Sequence, residues 1–175
     1  MQKTLILPLT KTPHERGRIG PRRWQDWYRA ALLAAQLADR IKRSEVLILS
    51  NVRFNGERHE VEHYVEALRE AGCPERQIRV VRSQYETVGQ IKRAFFIAEE
   101  ENAELIVIST FLHFPRVWWL CWGEDVKHRF AFGIPRPLEM ATDIMMWFVF
   151  PLLGLIHLER WFVKKVIERR RRGLY

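Results

Sequence analysis

The chain has 175 residues, 47% of them hydrophobic and 29% charged, with a formal charge of +8. That length gives one well-buried core and too little for two comfortable domains, and the balance excludes a disordered polyelectrolyte. Two widely separated cysteines, Cys73 and Cys121, exclude a disulfide-stapled scaffold and fit a reducing compartment.

Thr4 to Leu9 is a short apolar run that reads as a first strand. No cationic region precedes it and no small-residue cleavage site follows, so a secretory signal is not expected. Lys11 to Arg23 reads as a loop, punctuated by Pro13, Gly17, Gly20 and Pro21 and carrying Thr12, His14, Arg16 and Arg18. From Arg22 to Arg40, Trp24, Trp27 and a series of alanines recur at three- and four-residue intervals, the period of a helix. Val46 to Leu49 is a second buried strand, followed by a polar loop from Ser50 to Arg58. His59 to Ala71 is a helix with Val61, Tyr64, Val65 and Leu68 as its apolar stripe, stopped by Gly72 and Pro74. Ile78 to Val81 is a third strand, and Thr87 to Asn102 a helix with Ile91, Ala94, Phe95 and Ala98 inward.

Leu105 to Ile108 is a continuous branched run, the pattern of a strand buried on both faces. It ends in Ser109 and Thr110, and a polar loop carries His113 to Pro115, where a Trp-rich helix with Arg116 in its first turn begins. Phe130 to Phe132 is a weaker fifth strand. Strand and helix alternate four times, which predicts an α/β fold: a doubly wound, Rossmann-like parallel sheet of four to five strands over residues 1–135. Residues 136–175 then form a C-terminal helical extension, first apolar and then Arg-rich.

A parallel sheet places every post-strand loop on one edge, where open α/β sheets bind ligands. Those loops would gather Thr10, Thr12, Arg16 and Arg18, then Asn51, Arg53 and Asn55, then Ser83 and Glu86, and finally Ser109 and His113. Hydroxyls, amides and guanidinium groups at one edge suit a phosphate or carboxylate, with helix-start N–H groups assisting. Arg116, with Arg16 or Arg18, is expected to anchor the anion, and His113 to exchange a proton near neutral pH as the candidate catalytic group. Ser109, Thr87 and Glu86 would orient the ligand, with Thr10, Asn51 and Glu60 at the same rim.

Other motifs give less. His59-Glu60-Val61-Glu62-His63 matches the zinc-protease pattern, but Val61 and Tyr64 form the apolar stripe, so both histidines should share a solvated face with Glu66 and Glu70. No metal is therefore expected there. Gly17-Arg18-Ile19-Gly20 lacks the dinucleotide spacing, and Ser109 lacks the flanking glycines of a nucleophile elbow.

Ile144 to Ile156 is uncharged and apolar, interrupted by Pro151 and Gly154, and shorter than the ~20 residues that span a bilayer. Seven Lys or Arg against two Glu follow from Glu159 onward, a net of +5. Beside Trp161, Phe162 and Val163 this suits a helix lying on an anionic membrane surface. The competing reading is a helix pair packed on the sheet with a solvated cationic end. Nucleic acid is disfavoured, because no aromatic stacking platform accompanies the arginines.

Ile106 to Arg116 (I-V-I-S-T-F-L-H-F-P-R) resembles the V-T-S-x-x-H-x-x-R-A signature of the YdcF/SanA/ElyC-like family, a bacterial domain of unknown function. Glu60, Leu68, Gly72, Pro74 and Ile78 resemble its E…L…G-x-P…I helix and strand. Glu86-Thr87 falls where the family shows N-T-x-E, with Glu86 in place of the asparagine and Gly89 in place of the second acidic residue. Leu7 to Thr10 replaces its glycine-rich turn. The resemblance spans roughly Leu5 to Trp119. It implies a Rossmann-like domain linked to the bacterial cell envelope, with S-adenosylmethionine as the cofactor associated with one branch. Members of that family often carry an N-terminal membrane helix, which is not expected in this chain, so cytoplasmic placement, or peripheral placement at the inner membrane face, is expected rather than a periplasmic one. A non-enzymatic envelope factor that binds a lipid-linked precursor or a protein is the alternative to an enzyme.

Overall fold

A computed structural model of the chain describes residues 2–11, 21–53, 58–135 and 137–172. Five strands form one all-parallel sheet: β1 (Thr4–Pro8), β2 (Ser44–Leu49), β3 (Ile78–Val81), β4 (Glu104–Thr110) and β5 (Val126–Ala131), in the order β3-β2-β1-β4-β5. The helices are α1 (Asp26–Arg40), α2 (Glu60–Glu70), α3 (Thr87–Glu100), α4 (Phe114–Leu120), α5 (Pro137–Leu155) and α6 (Glu159–Arg171).

The branched runs make the sheet because both faces are covered. Ile6, Val46, Ile48, Ile106 and Ile108 point toward α1 and α2, while Leu5, Leu7, Leu47, Leu49, Leu105 and Val107 pack with α3 and α4. This is the doubly wound, Rossmann-like arrangement, and its strand order reverses between β1 and β4. Helix ends follow local chemistry. Gly72, at φ +82°, closes α2 with Cys73 N–H bonded back to the Leu68 carbonyl, the left-handed stop that a glycine allows.

Two expectations needed correction. The fifth strand lies earlier than Phe130, over Val126–Ala131, and pairs with β4 from Leu105↔Val126 to Thr110↔Ala131. Lys127, His128 and Arg129 hid it, because an edge strand tolerates charge that a central one does not. The apolar helix starts at Pro137 rather than Ile144, and Pro151 lies inside it without ending it. At 19 residues, with a mean hydropathy of 1.5 and 11% of that stretch buried, α5 is long and apolar enough to cross a membrane.

Candidate functional site

The switch point between β1 and β4 is where the chain concentrates its buried polar groups. Lys11, just past β1, sends its Nζ to Asp26 Oδ2 (3.1 Å) at the start of α1 and to Asp143 Oδ2 (2.8 Å) on α5. Asp143 Oδ1 lies 3.0 Å from His113 Nδ1, and His113 Nε2 lies 3.2 Å from Thr87 Oγ1 at the start of α3. Asp26, Thr87, His113 and Asp143 are all buried. Five segments separate in sequence thus meet in one line: Asp26, Lys11, Asp143, His113, Thr87.

The electrostatics fix who carries protons. Burial favours a neutral Asp143, but the hydrogen bond from His113 and the charge and hydrogen bond of Lys11 outweigh it and hold the carboxyl well below the usual range. An ionised Asp143 can only accept, so His113 Nδ1 carries the proton and Nε2 accepts from the Thr87 hydroxyl. Burial, reinforced by the Arg116 charge, pulls His113 down to about 4 against the pull of Asp143. His113 is therefore a neutral, oriented base at pH 7. Desolvation is the main cause of that neutrality.

Beside this line lies a cavity of about 50 Å³ bordered by Glu86, Val88, Arg116, Phe150 and Arg170, with Phe162, Val163 and Val166 of α6 closing it. Arg116 is half-buried with its guanidinium 5.4 Å from the centroid of the Phe150 ring. Its Nε is sealed from solvent and finds no hydrogen-bond partner among the described residues. Burial lowers the guanidinium to about 10, Asp143 and Glu86 attract its charge and Arg170 opposes it. Arg170 is anchored by an Nη1–H bond to the Tyr85 carbonyl (2.5 Å).

The other expected residues divide by whether the protein has already used them. Thr10 is tied to Gln90, whose Nε2 donates to Thr10 Oγ1 (2.6 Å) and whose Oε1 accepts from Thr10 N (3.2 Å). Asn51 donates to the Tyr85 hydroxyl (2.7 Å), and Glu60 accepts from Ser50 Oγ (2.6 Å). Glu86 caps α3, its carboxylate accepting from Val88 N and Gly89 N. That closure uses the missing side chain of Gly89, since a Cβ there would lie 2.6 Å from Glu86 Oε1. Those helix-start N–H groups are thus occupied by an internal carboxylate rather than offered to a ligand. Ser109 Oγ, and Thr110 Oγ1 beside it, are buried without a partner among the described residues. Arg16, Arg18, Thr12 and Asn55 lie outside the described residues.

Thr110 also borders a second cavity, of about 160 Å³, with Asp26, Phe111, Leu112, Phe132 and Gly133. Gly133 matters here, because a Cβ would fall 2.4 Å from Asp26 Cα, so this residue lets the end of β5 pass against the start of α1. His59 and His63 are half-buried rather than solvated, with the His63 ring 6.3 Å from Trp27. Among the described residues no group of three or more His, Cys, Asp or Glu could hold a metal ion.

Sequence reasoning missed Lys11, Asp26, Gln90, Asp143 and Arg170. Asp143 did leave a signal: it is the carboxylate at the edge of the apolar run that starts at Ile144, a place that calls for a buried partner. No protein-family model, curated protein or solved structure matches the chain.

Proposed function

We propose that this protein is a YdcF-like α/β domain that binds an anionic, phosphorylated or nucleotide-like small molecule at the carboxyl edge of its sheet. The observation that carries this reading is Arg116: a guanidinium drawn out of water, with an unpartnered Nε, facing a cavity it shares with Arg170. A buried guanidinium N–H without a hydrogen-bond partner costs free energy, and an anionic group is the ligand that would recover it. The space fits one phosphoryl-sized group, and the rest of the ligand would extend toward Ser109 and His113. Beyond binding, the chemistry on hand is proton removal by His113 Nε2, from Thr87 or from a ligand hydroxyl that takes its place.

Thermal-shift titration with inorganic phosphate, nucleotides, sugar phosphates and S-adenosylmethionine tests the reading. At least one of these should raise the melting temperature of the wild type. The Arg116→Gln protein should lose that rise while its ligand-free stability stays equal or increases by about 1 kcal/mol, since a desolvated charge has been removed. His113→Gln should keep part of the rise. A panel that stabilises neither the wild type nor any variant, or stabilises Arg116→Gln equally, rules out the anion site.

A further inference from the structure

We infer that the outer face of α5 and the cationic face of α6 together dock this protein, in the plane of the interface, on an anionic lipid bilayer. This inference is independent of the ligand reading and rests on other side chains.

The helix α5 is amphipathic in an inverted sense. Its inward stripe holds Asp143, Met146 and Phe150, with Asp143 committed to Lys11 and His113 and Trp147 donating its indole N–H to the Leu112 carbonyl (2.6 Å). Its outward stripe is Ala141, Met145, Phe148, Leu152 and Leu155, one side chain every three or four residues, and Phe148 and Leu155 are 67% and 71% exposed. The only charged residues between Pro137 and Leu155 are Glu139 and Asp143, and neither belongs to that stripe. An unbroken apolar stripe about four turns long is far larger than monomeric soluble proteins leave to water. The neighbouring α4, which packs against α5, exposes Trp118 and Trp119, and Trp122 just past its end is exposed as well.

The choice of occupant comes from α6. Its inner stripe, Phe162, Val163, Val166 and Arg170, closes the cavity described above. Its outer face carries Arg160, Lys164, Lys165, Arg169, Arg171 and Arg172, all exposed, around an exposed Trp161. Six cations and an indole beside an uncharged stripe complement an anionic headgroup layer over acyl chains. A second copy of the chain would bring like charges together. The length of α5 alone would also allow a spanning helix, but a helix whose middle and end hold Asp143 and Phe150 inside the folded domain cannot be surrounded by lipid.

The full chain, added to preformed vesicles, provides the test. It should co-sediment with phosphatidylcholine vesicles containing phosphatidylglycerol, bind pure phosphatidylcholine at least about tenfold more weakly, and be released by alkaline carbonate. Brominated acyl chains should quench its tryptophan fluorescence, a readout that needs no variant. Phe148→Ser with Leu152→Ser, and separately Lys164→Glu with Lys165→Glu, should each cut binding about tenfold or more while cooperative unfolding is retained, since all four side chains are exposed. Failure of the wild type to sediment, resistance to carbonate, unchanged binding by both variants, or a stable dimer that Phe148→Ser disrupts would each overturn the inference, the last in favour of a second copy.

Discussion

Helices α2 and α5 are both half-covered by the domain, and they are finished in opposite ways. The inward side of α2 is apolar, with Val61, Tyr64 and Leu68, and its outward side is ionic: Glu62, Glu66 and Glu70 meet Arg58, Arg82 and Arg22 at 2.9–3.5 Å. In α5 a carboxylate faces the protein beside Met146 and Phe150, and the outward side is apolar as well. The first pattern satisfies a helix with water on its free side. The second satisfies a helix whose free side meets something less polar, and whose inward charge has a defined task. The difference also predicts where energy is held: in α2 outside charges should be nearly idle, whereas in α5 the single inward charge should dominate.

Removing that inward charge gives the largest expected effect. Asp143→Asn leaves Lys11 with Asp26 alone and deprives His113 of its anchor, and breaking such a buried pair costs about 3–5 kcal/mol. Urea unfolding measures it, and a loss below 1 kcal/mol would erase the contrast between the two helices. Next comes acid. The imidazole of the unfolded chain takes its proton near 6.5, while folded His113 resists protonation to about 4. Its contribution is therefore complete above pH 6.5 and is lost as pH falls from 6.5 toward 4, by up to roughly 3 kcal/mol. Melting temperatures across that window should show the decline in the wild type and a flatter profile in His113→Gln. The smallest effect belongs to α2: Glu66→Gln should cost less than about 1 kcal/mol, because exposed ion pairs gain little against solvent and salt.

The sheet could be read from the sequence because β1 is buried at every position and β2 and β4 at all but Glu45 and Glu104, and nothing but a two-sided core explains such runs. Reading failed where a residue's task lay across the fold. The charges of β5 suit an edge, and Asp143, the carboxylate that cuts the apolar run short at Ile144, is aimed at a lysine 132 residues earlier. His113 and Arg116 could be singled out because a strand end and a helix start bracket them. Their partners Asp143 and Arg170 could not, since no local period marks residues that meet only after the C-terminal helices fold back.

The placement of β1 has a consequence for how the chain comes into being. Of the five strands, the one synthesised earliest is the middle of the sheet, and one of its two neighbours, β4, begins 100 residues later at Glu104. Until that segment has been synthesised, Leu5 to Leu7 and their backbone present an open margin able to pair with another nascent chain. Pairings across so long a stretch slow folding. Lys11 must wait longer still, since its counter-charge on α5 emerges 132 residues after it.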